Sequence, residues 1–264
     1  MLEILLAVLA GLLIGSFLNV CVFRLPRDLS VVQPRSFCPG CEKTIAWYDN
    51  IPVVSYLLLR GRCRHCAELI PIRYPIVEAT TAVAFGLSVA AFGVSWHALK
   101  YCVFSAIMIT LVATDIETQI LPDEFTVGGT VLGLVFAVFV PFPPGLMMLL
   151  LPRTLSPRWI ALSEAVFGAV VASGLIWFIG WVFEKVRHRE GMGLGDVKMI
   201  AMIGAFLGLQ ATLLTLVVAS LIGSAFGLIY AAVKRKDWRT HELPFGSFLG
   251  AAALVVAALY ARVA

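Results

Sequence analysis

Four cysteines and two aspartates are the residues of this chain whose types and spacing could do chemistry. Cys38-Pro-Gly-Cys41 and Cys63-Arg-His-Cys66 form two C-x-x-C pairs with 21 residues between them. Four thiolates at such spacing meet the tetrahedral demand of a structural zinc site; disulfides or redox use are the alternatives. A closed four-sulfur centre has no open coordination position, so the metal would shape its loop and take no part in bond cleavage. Gly40 is expected to help the first pair turn, and Arg62 and Arg64 to offset the charge of the thiolates. His65 could replace one thiolate, although four cysteines make that unnecessary. Cys21 and Cys102 lie in apolar runs and read as small core residues.

Asp115 is the first acid after one apolar run, and Asp196 stands among Gly191, Gly193 and Gly195 at the lip of another. A carboxylate there is costly to desolvate unless something uses it. Although 81 positions separate the two, they share an expected depth, so helix packing could bring their carboxyls together. Two carboxyl groups in one site cannot both ionise cheaply; one keeps a proton and the other stays charged. That pair can activate water, the charged member accepting its proton and the neutral member donating to a peptide carbonyl oxygen. The titration belongs to the pair, so neither residue is assigned either role. Glycines beside Asp196 would let an extended substrate backbone approach closely. A flexible turn carrying a solvated acid is the plainer reading of Gly-Leu-Gly-Asp alone.

Other charged residues compete. Glu117, Asp123 and Glu124 read as a solvated connection, with Pro122 and Asp123 as a turn and helix start. Lys198 either holds an aspartate ionised or snorkels to the interface. Glu78 is a buried partner or a boundary charge.

The elements that must position these groups follow from composition. Of 264 residues, 60% are hydrophobic and only 14% charged, which describes a polytopic membrane protein. Apolar runs near 5 to 23, 76 to 96, 98 to 114, 125 to 150, 161 to 183, 197 to 209, 211 to 233 and 244 to 262 predict about eight transmembrane helices, the sixth unusually short. Pro141, Pro143 and Pro144 blur the fourth run, and Gly208 with Gln210 only weakly divides the sixth from the seventh. No basic residue precedes the first run and Arg24 and Arg27 follow it, which predicts an outside amino terminus and an uncleaved anchor. On that assignment one face collects 16 of the 20 basic residues, among them Lys185, Arg187, Arg189, Lys234, Arg235, Lys236 and Arg239, and leaves Lys100, Arg153, Arg158 and Arg262 opposite. The basic face is the cytoplasmic one. It carries the cysteine loop, the connection from 115 to 124 and the glycine run. The scattered charge, formally +4, forms no stripe that could follow a nucleic-acid backbone, so no nucleic-acid partner is expected. The domain reading is a first helix over 1–23, a cytoplasmic zinc loop over 24–75 and a membrane core over 76–264. No internal repeat is evident.

Taken together, these residues resemble the type IV prepilin peptidase family, bifunctional membrane enzymes grouped with the GxGD aspartic proteases. The resemblance runs over nearly the whole chain. It rests on Gly15-Ser-Phe-Leu-Asn-Val20, the paired cysteines, Arg73-Tyr-Pro-Ile-Val-Glu78, Asp115 with Leu121-Pro-Asp123, Gly193-Leu-Gly-Asp196-Val-Lys198, and Pro244-Phe-Gly246. It implies cleavage, after a glycine, of the short basic leader of prepilins or pseudopilins at the cytoplasmic face of the bacterial inner membrane. It also implies methylation of the new amino terminus with S-adenosylmethionine. By position Asp115 and Asp196 match the catalytic pair. The family's cysteine loop is associated with methylation, which makes Gly61 and Arg62 candidates for binding the methyl donor. No glycine-rich dinucleotide fingerprint follows a strand here, so the methyl donor rests on resemblance.

The acidic connection from 115 to 124 could attract a basic leader, and the substrate's apolar part could lie in membrane lipid. Two rival readings remain: a proton-coupled transporter using the paired aspartates, and a zinc-loop scaffold without catalysis.

Overall fold

The computed structural model describes residues 1–140, 145–152, 154–187, 193–234 and 244–261. Pro141, Pro143, Pro144, Arg153, Arg189, Gly191, Arg235, Lys236, Arg239 and Arg262 lie outside the described residues. The described chain is helical: α1 (Leu2–Arg24), α2 (Val54–Leu58), α3 (Arg73–Phe92), α4 (Trp96–Thr118), α5 (Asp123–Phe139), α6 (Leu146–Leu150), α7 (Pro157–Arg187), α8 (Leu194–Lys234) and α9 (Phe245–Tyr260). Among the described residues extended pairing is limited to two isolated antiparallel bridges, Phe37 with Thr44 and Arg62 with Leu69.

α1, α3, α4, α7 and α8 are each long and apolar enough to cross a membrane. At about 1.5 Å per residue, α5 and α9 are each roughly 25 Å long, a little short of the hydrocarbon thickness. The sixth and seventh apolar runs both lie within α8, which is two helices meeting at a kink. The kink is at Gly208, whose φ of 76° and ψ of 174° are not helical, a backbone that glycine tolerates. The expected division between the two runs is therefore present, and the short sixth run is the helix before the kink, its side chains from Met199 to Phe206 almost all buried. The fourth run ends earlier than its hydrophobicity suggests, α5 stopping at Phe139.

The chain divides into two compact bodies, Met1–Thr114 and Asp115–Ala264. In the first, α1 packs along α3. Gly11 and Gly15, one turn apart, make this possible: a Cβ at Gly11 would press on the backbone of Ala82, and one at Gly15 on that of Glu78. Without a hydrophobic drive between helices in lipid, close backbone approach through small residues is what holds such pairs. Asn19 of α1 donates its amide to the Tyr74 carbonyl at 3.0 Å. Arg24, buried at the end of α1, donates to the carbonyls of Ser30 and Pro34 at 2.8 and 2.6 Å, tying the following loop to the helix.

Glu78 is the buried partner and not a boundary charge. Its carboxylate accepts the Val53 N–H at 2.7 Å and also bonds Ser16. Val53 has a φ of 61°, and the turn around it is closed by the Val54 N–H on the Pro52 carbonyl at 2.6 Å. This is a γ-turn of the rare, strained kind, on a β-branched residue. Glu78 thus pins the loop onto α3 at its least comfortable point.

In the second body α8 packs against α5, α7 and α9. Gly168 of α7 and Gly204 of α8 meet face to face, and a Cβ on either would overlap the backbone of the other. Gly133 of α5 meets Ala205 and Phe206 in the same way. The first part of α8 is therefore enclosed by close glycine contacts, and this part begins beside Asp196.

Candidate functional sites

Within the first body, the four cysteine sulfurs lie within 4.8 Å of one another. Cys38 Sγ is 3.7 Å from Cys66 Sγ, and Cys41 Sγ is 4.0 Å from Cys63 Sγ. A tetrahedral zinc with Zn–S bonds of about 2.3 Å separates its sulfurs by roughly 3.8 Å. The donor set and spacing therefore fit the metal with little adjustment, and this cluster could hold zinc. Disulfides are absent among these cysteines.

Backbone hydrogen bonds show how local sequence builds the cluster. The Cys38 N–H donates to Lys43 O and the Glu42 N–H to Cys38 O; 25 positions on, the Cys63 N–H donates to Glu68 O and the Ala67 N–H to Cys63 O. Ile45 donates to Ser36 and Ile70 to Gly61, closing the two turns identically. The loop is a repeat of two knuckles, which the side chains alone conceal.

The left-handed position in each knuckle is the residue after the second cysteine, Glu42 (φ 56°) and Ala67 (φ 59°). Gly40 was expected to help the turn; histidine fills the matching position in the second knuckle, and the glycine gives room to the Glu68 carboxylate. His65 is outside the cluster of sulfurs.

The thiols do not behave alike. Backbone N–H groups of Cys66 and His65 push Cys63 down to about 6. At Cys66 the Glu68 N–H pulls downward, but desolvation and its bonds to the other three sulfurs outweigh it and raise the thiol to about 12. Four clustered thiols cannot all ionise without a cation among them.

The sequence-predicted helpers divide. Arg64 is committed to Asp49, donating through Nε at 2.8 Å and Nη2 at 2.6 Å, and these bonds hold the Asp49 carboxyl below its usual range. Arg62 is exposed, its backbone bridged to Leu69. Gly61 is buried with a φ of 68°; its N–H donates to Tyr56 O, and its carbonyl accepts from Ile70. Both its polar groups are engaged in local backbone bonds, so Gly61 shapes the turn that carries Cys63. Cys21 and Cys102 are buried, as small core residues should be.

The aspartates belong to the second body. Asp115 falls inside the last turn of α4, which runs on to Thr118, and Asp196 falls in the first turn of α8. The two carboxyls are close enough to act on each other electrostatically. Asp115 is 4% exposed, while Asp196 is half-buried.

Three glycines and one leucine shape the surroundings. A Cβ on Gly193 would lie 3.8 Å from Asp196 Oδ2. One on Gly195 would come within 3.3 Å of the Leu121 side chain, and one on Gly246 within 3.1 Å of the Asp115 carboxyl and 3.2 Å of Leu121. Leu121 therefore stands against both Gly195 and Gly246.

Sequence reasoning did not find this leucine's position, nor Ser247. Ser247 donates its backbone N–H and its hydroxyl to Asp115 Oδ2 at 2.5 and 2.6 Å, across 132 positions. Pro244-Phe-Gly246 signals a helix start, but nothing in the spacing ties it to Asp115.

The connection between α4 and α5 is shorter than expected. Glu117 lies within α4, and Asp123 and Glu124 open α5 after Pro122. Lys198 does not hold either site aspartate. Its ammonium pairs with Asp123 at 2.7 and 2.8 Å. Asp123 is thereby partly neutralised as an attractor for a basic leader.

Comparison with known proteins adds an independent line. Residues 9–92 match the model of the bacterial peptidase A24 N-terminal domain, and residues 102–228 that of the type IV leader peptidase family. A prepilin leader peptidase/N-methyltransferase of Neisseria gonorrhoeae is 36% identical over 257 residues, covering 88% of this chain and 84% of that protein. The enzyme of the same name from Pseudomonas aeruginosa is 34% identical over 272 residues, covering 94% and 88%. An Escherichia coli type 4 prepilin-like proteins leader peptide-processing enzyme is 36% identical over 276 residues, covering 97% and 94%. No solved structure matches the chain.

Proposed function

Because the chain belongs to the type IV leader peptidase family, we propose that it is a multi-pass membrane aspartic endopeptidase that removes the basic leader of prepilins or pseudopilins and methylates the new amino terminus. The relatives are named for leader processing, so the transporter and scaffold readings are set aside.

Asp115 and Asp196 are the proposed catalytic pair. The observation that supports this is their placement at the ends of two apolar helices, with Leu121 against both Gly195, next to Asp196, and Gly246, whose open side faces the Asp115 carboxyl. One carboxylate takes a proton from water as its oxygen attacks the scissile carbonyl, and the other carboxyl donates a proton to the carbonyl oxygen. As the tetrahedral species collapses and the C–N bond breaks, the carboxyl that took the water's proton gives it to the leaving amine, and the other carboxylate recovers its proton from the hydroxyl that becomes the carbonyl. The distribution of basic residues supports a cytoplasmic site in the bacterial inner membrane, with the substrate's apolar segment in lipid.

Cys38, Cys41, Cys63 and Cys66 would hold a structural zinc whose four bonds close the knuckle pair. The zinc loop over 24–75 is proposed as a rigid module, and the proteolytic residues lie beyond it within 76–264. The names of the relatives support methyl transfer from S-adenosylmethionine; no step is routed through Gly61, and Arg62 is retained only as an exposed cation next to the knuckle.

The test is incubation of purified protein with a prepilin, comparing wild type with Asp115→Asn and Asp196→Asn. Loss of cleavage in both variants, with zinc content intact, is expected. Full cleavage by either variant would remove the proteolytic mechanism.

A further inference from the structure

We propose that Ser247 is a positioning residue for proteolysis, fixing the Asp115 carboxylate by donating two hydrogen bonds to its Oδ2. The inference rests on the proteolytic reading above and goes beyond it by bringing a third helix into the site.

Three observations carry it. The backbone N–H and hydroxyl of one residue converge on one oxygen, at 2.5 and 2.6 Å. Both residues are shielded, Ser247 at 9% exposed and Asp115 at 4%, so water does not readily replace these donors. Ser247 is the third residue of α9; its N–H also reaches the Pro244 carbonyl at 3.2 Å, and it lies in the first turn, where the helix dipole favours a negative charge. Gly246 makes the approach possible, since the space its Cβ would need lies against the Asp115 carboxyl.

A carboxylate on a helical side chain can rotate about its terminal torsion, which is broad. Two donors on Oδ2 remove that freedom and leave Oδ1 as the oxygen that meets the attacking water. The backbone N–H is fixed by the helix, and the hydroxyl turns about χ1 onto the same oxygen, so the pair sets the carboxylate plane. Ser247 acts through Asp115, by keeping the ground state near the geometry needed for proton transfer.

This predicts a specific kinetic pattern. With full-length protein and a prepilin substrate, Ser247→Ala should lower kcat about tenfold, as expected for losing one hydrogen bond to a charged group, while KM changes less than about twofold. Ser247→Thr, which keeps the hydroxyl, should recover most of kcat. Zinc content and thermal unfolding should stay at wild-type values in both variants. A wild-type kcat in Ser247→Ala, or a loss that Thr fails to restore, overturns the proposal while an inactive Asp115→Asn leaves the proteolytic reading standing. An active Asp115→Asn overturns both.

Discussion

In the loop between α1 and α3, four sulfurs are gathered by two short turns, 36–45 and 61–70, each closed by its own backbone hydrogen bonds. In the Asp115–Ala264 body, the end of α4 and the starts of α8 and α9 bring Asp115, Asp196 and Ser247 together across as many as 132 positions. The first arrangement is written in local turn chemistry. The second exists only because helices pack, and it depends both on Gly246 beside the Asp115 carboxyl and on the distant contact of Gly168 with Gly204. The comparison teaches that the two proposed activities of this chain should fail by different routes.

The sharpest separation comes from the aspartates. Asp115→Asn and Asp196→Asn should each reduce leader cleavage by about 100-fold or more, the scale of a lost acid or base, while leaving methylation of an already trimmed substrate near wild type. Mass spectrometry of the substrate amino terminus reads both outcomes. Equal loss of both activities would mean that the two sites are not separable.

The reciprocal experiment removes the sulfurs. Cys63→Ser with Cys66→Ser should take bound zinc from about one per chain to none, and limited proteolysis should then cut within 24–75. Leader cleavage should fall by less than about tenfold, because the aspartates draw no ligand from the knuckles. Wild-type proteolytic resistance without zinc would show that the turns hold by themselves.

Packing is the next lever. Gly168→Val forces a side chain into the backbone of α8 at Gly204 and should destabilise the second body by about 1–3 kcal/mol, measured as a lower unfolding temperature. Leader cleavage should fall with it, while zinc content does not change. Unchanged stability would mean that α7 and α8 can part without cost.

The smallest effect belongs to the surface. Lys198→Met removes the ion pair with Asp123, whose side chains are 40% and 63% exposed. Cleavage should change by about twofold or less at physiological salt, since solvent and ions screen such pairs. A larger loss would place Lys198 in substrate contact.

The four-cysteine cluster was legible in the sequence because a C-x-x-C pair folds largely within itself. What stayed hidden was backbone detail: the left-handed residue is Glu42 and not Gly40, and the two knuckles repeat in hydrogen bonding without repeating in side chains. Asp115 and Asp196 were legible as acids at the ends of apolar runs, where an unused carboxylate is costly. The partner of Lys198 was not legible, because Asp123 stands 75 positions away at the start of α5.

By itself the sequence determined the helices that can enter a bilayer, the four clustered sulfurs and the two acids at the ends of apolar runs, since each depends on composition or spacing within a few turns. Tertiary structure alone decided that α8 kinks at Gly208, that Glu78 holds the Val53 turn, and that Gly246 and Ser247 stand against the Asp115 carboxyl. The physical reason is range. Hydropathy and turn preference act along the chain, whereas a hydrogen bond across 132 positions is set by where small residues let helices touch.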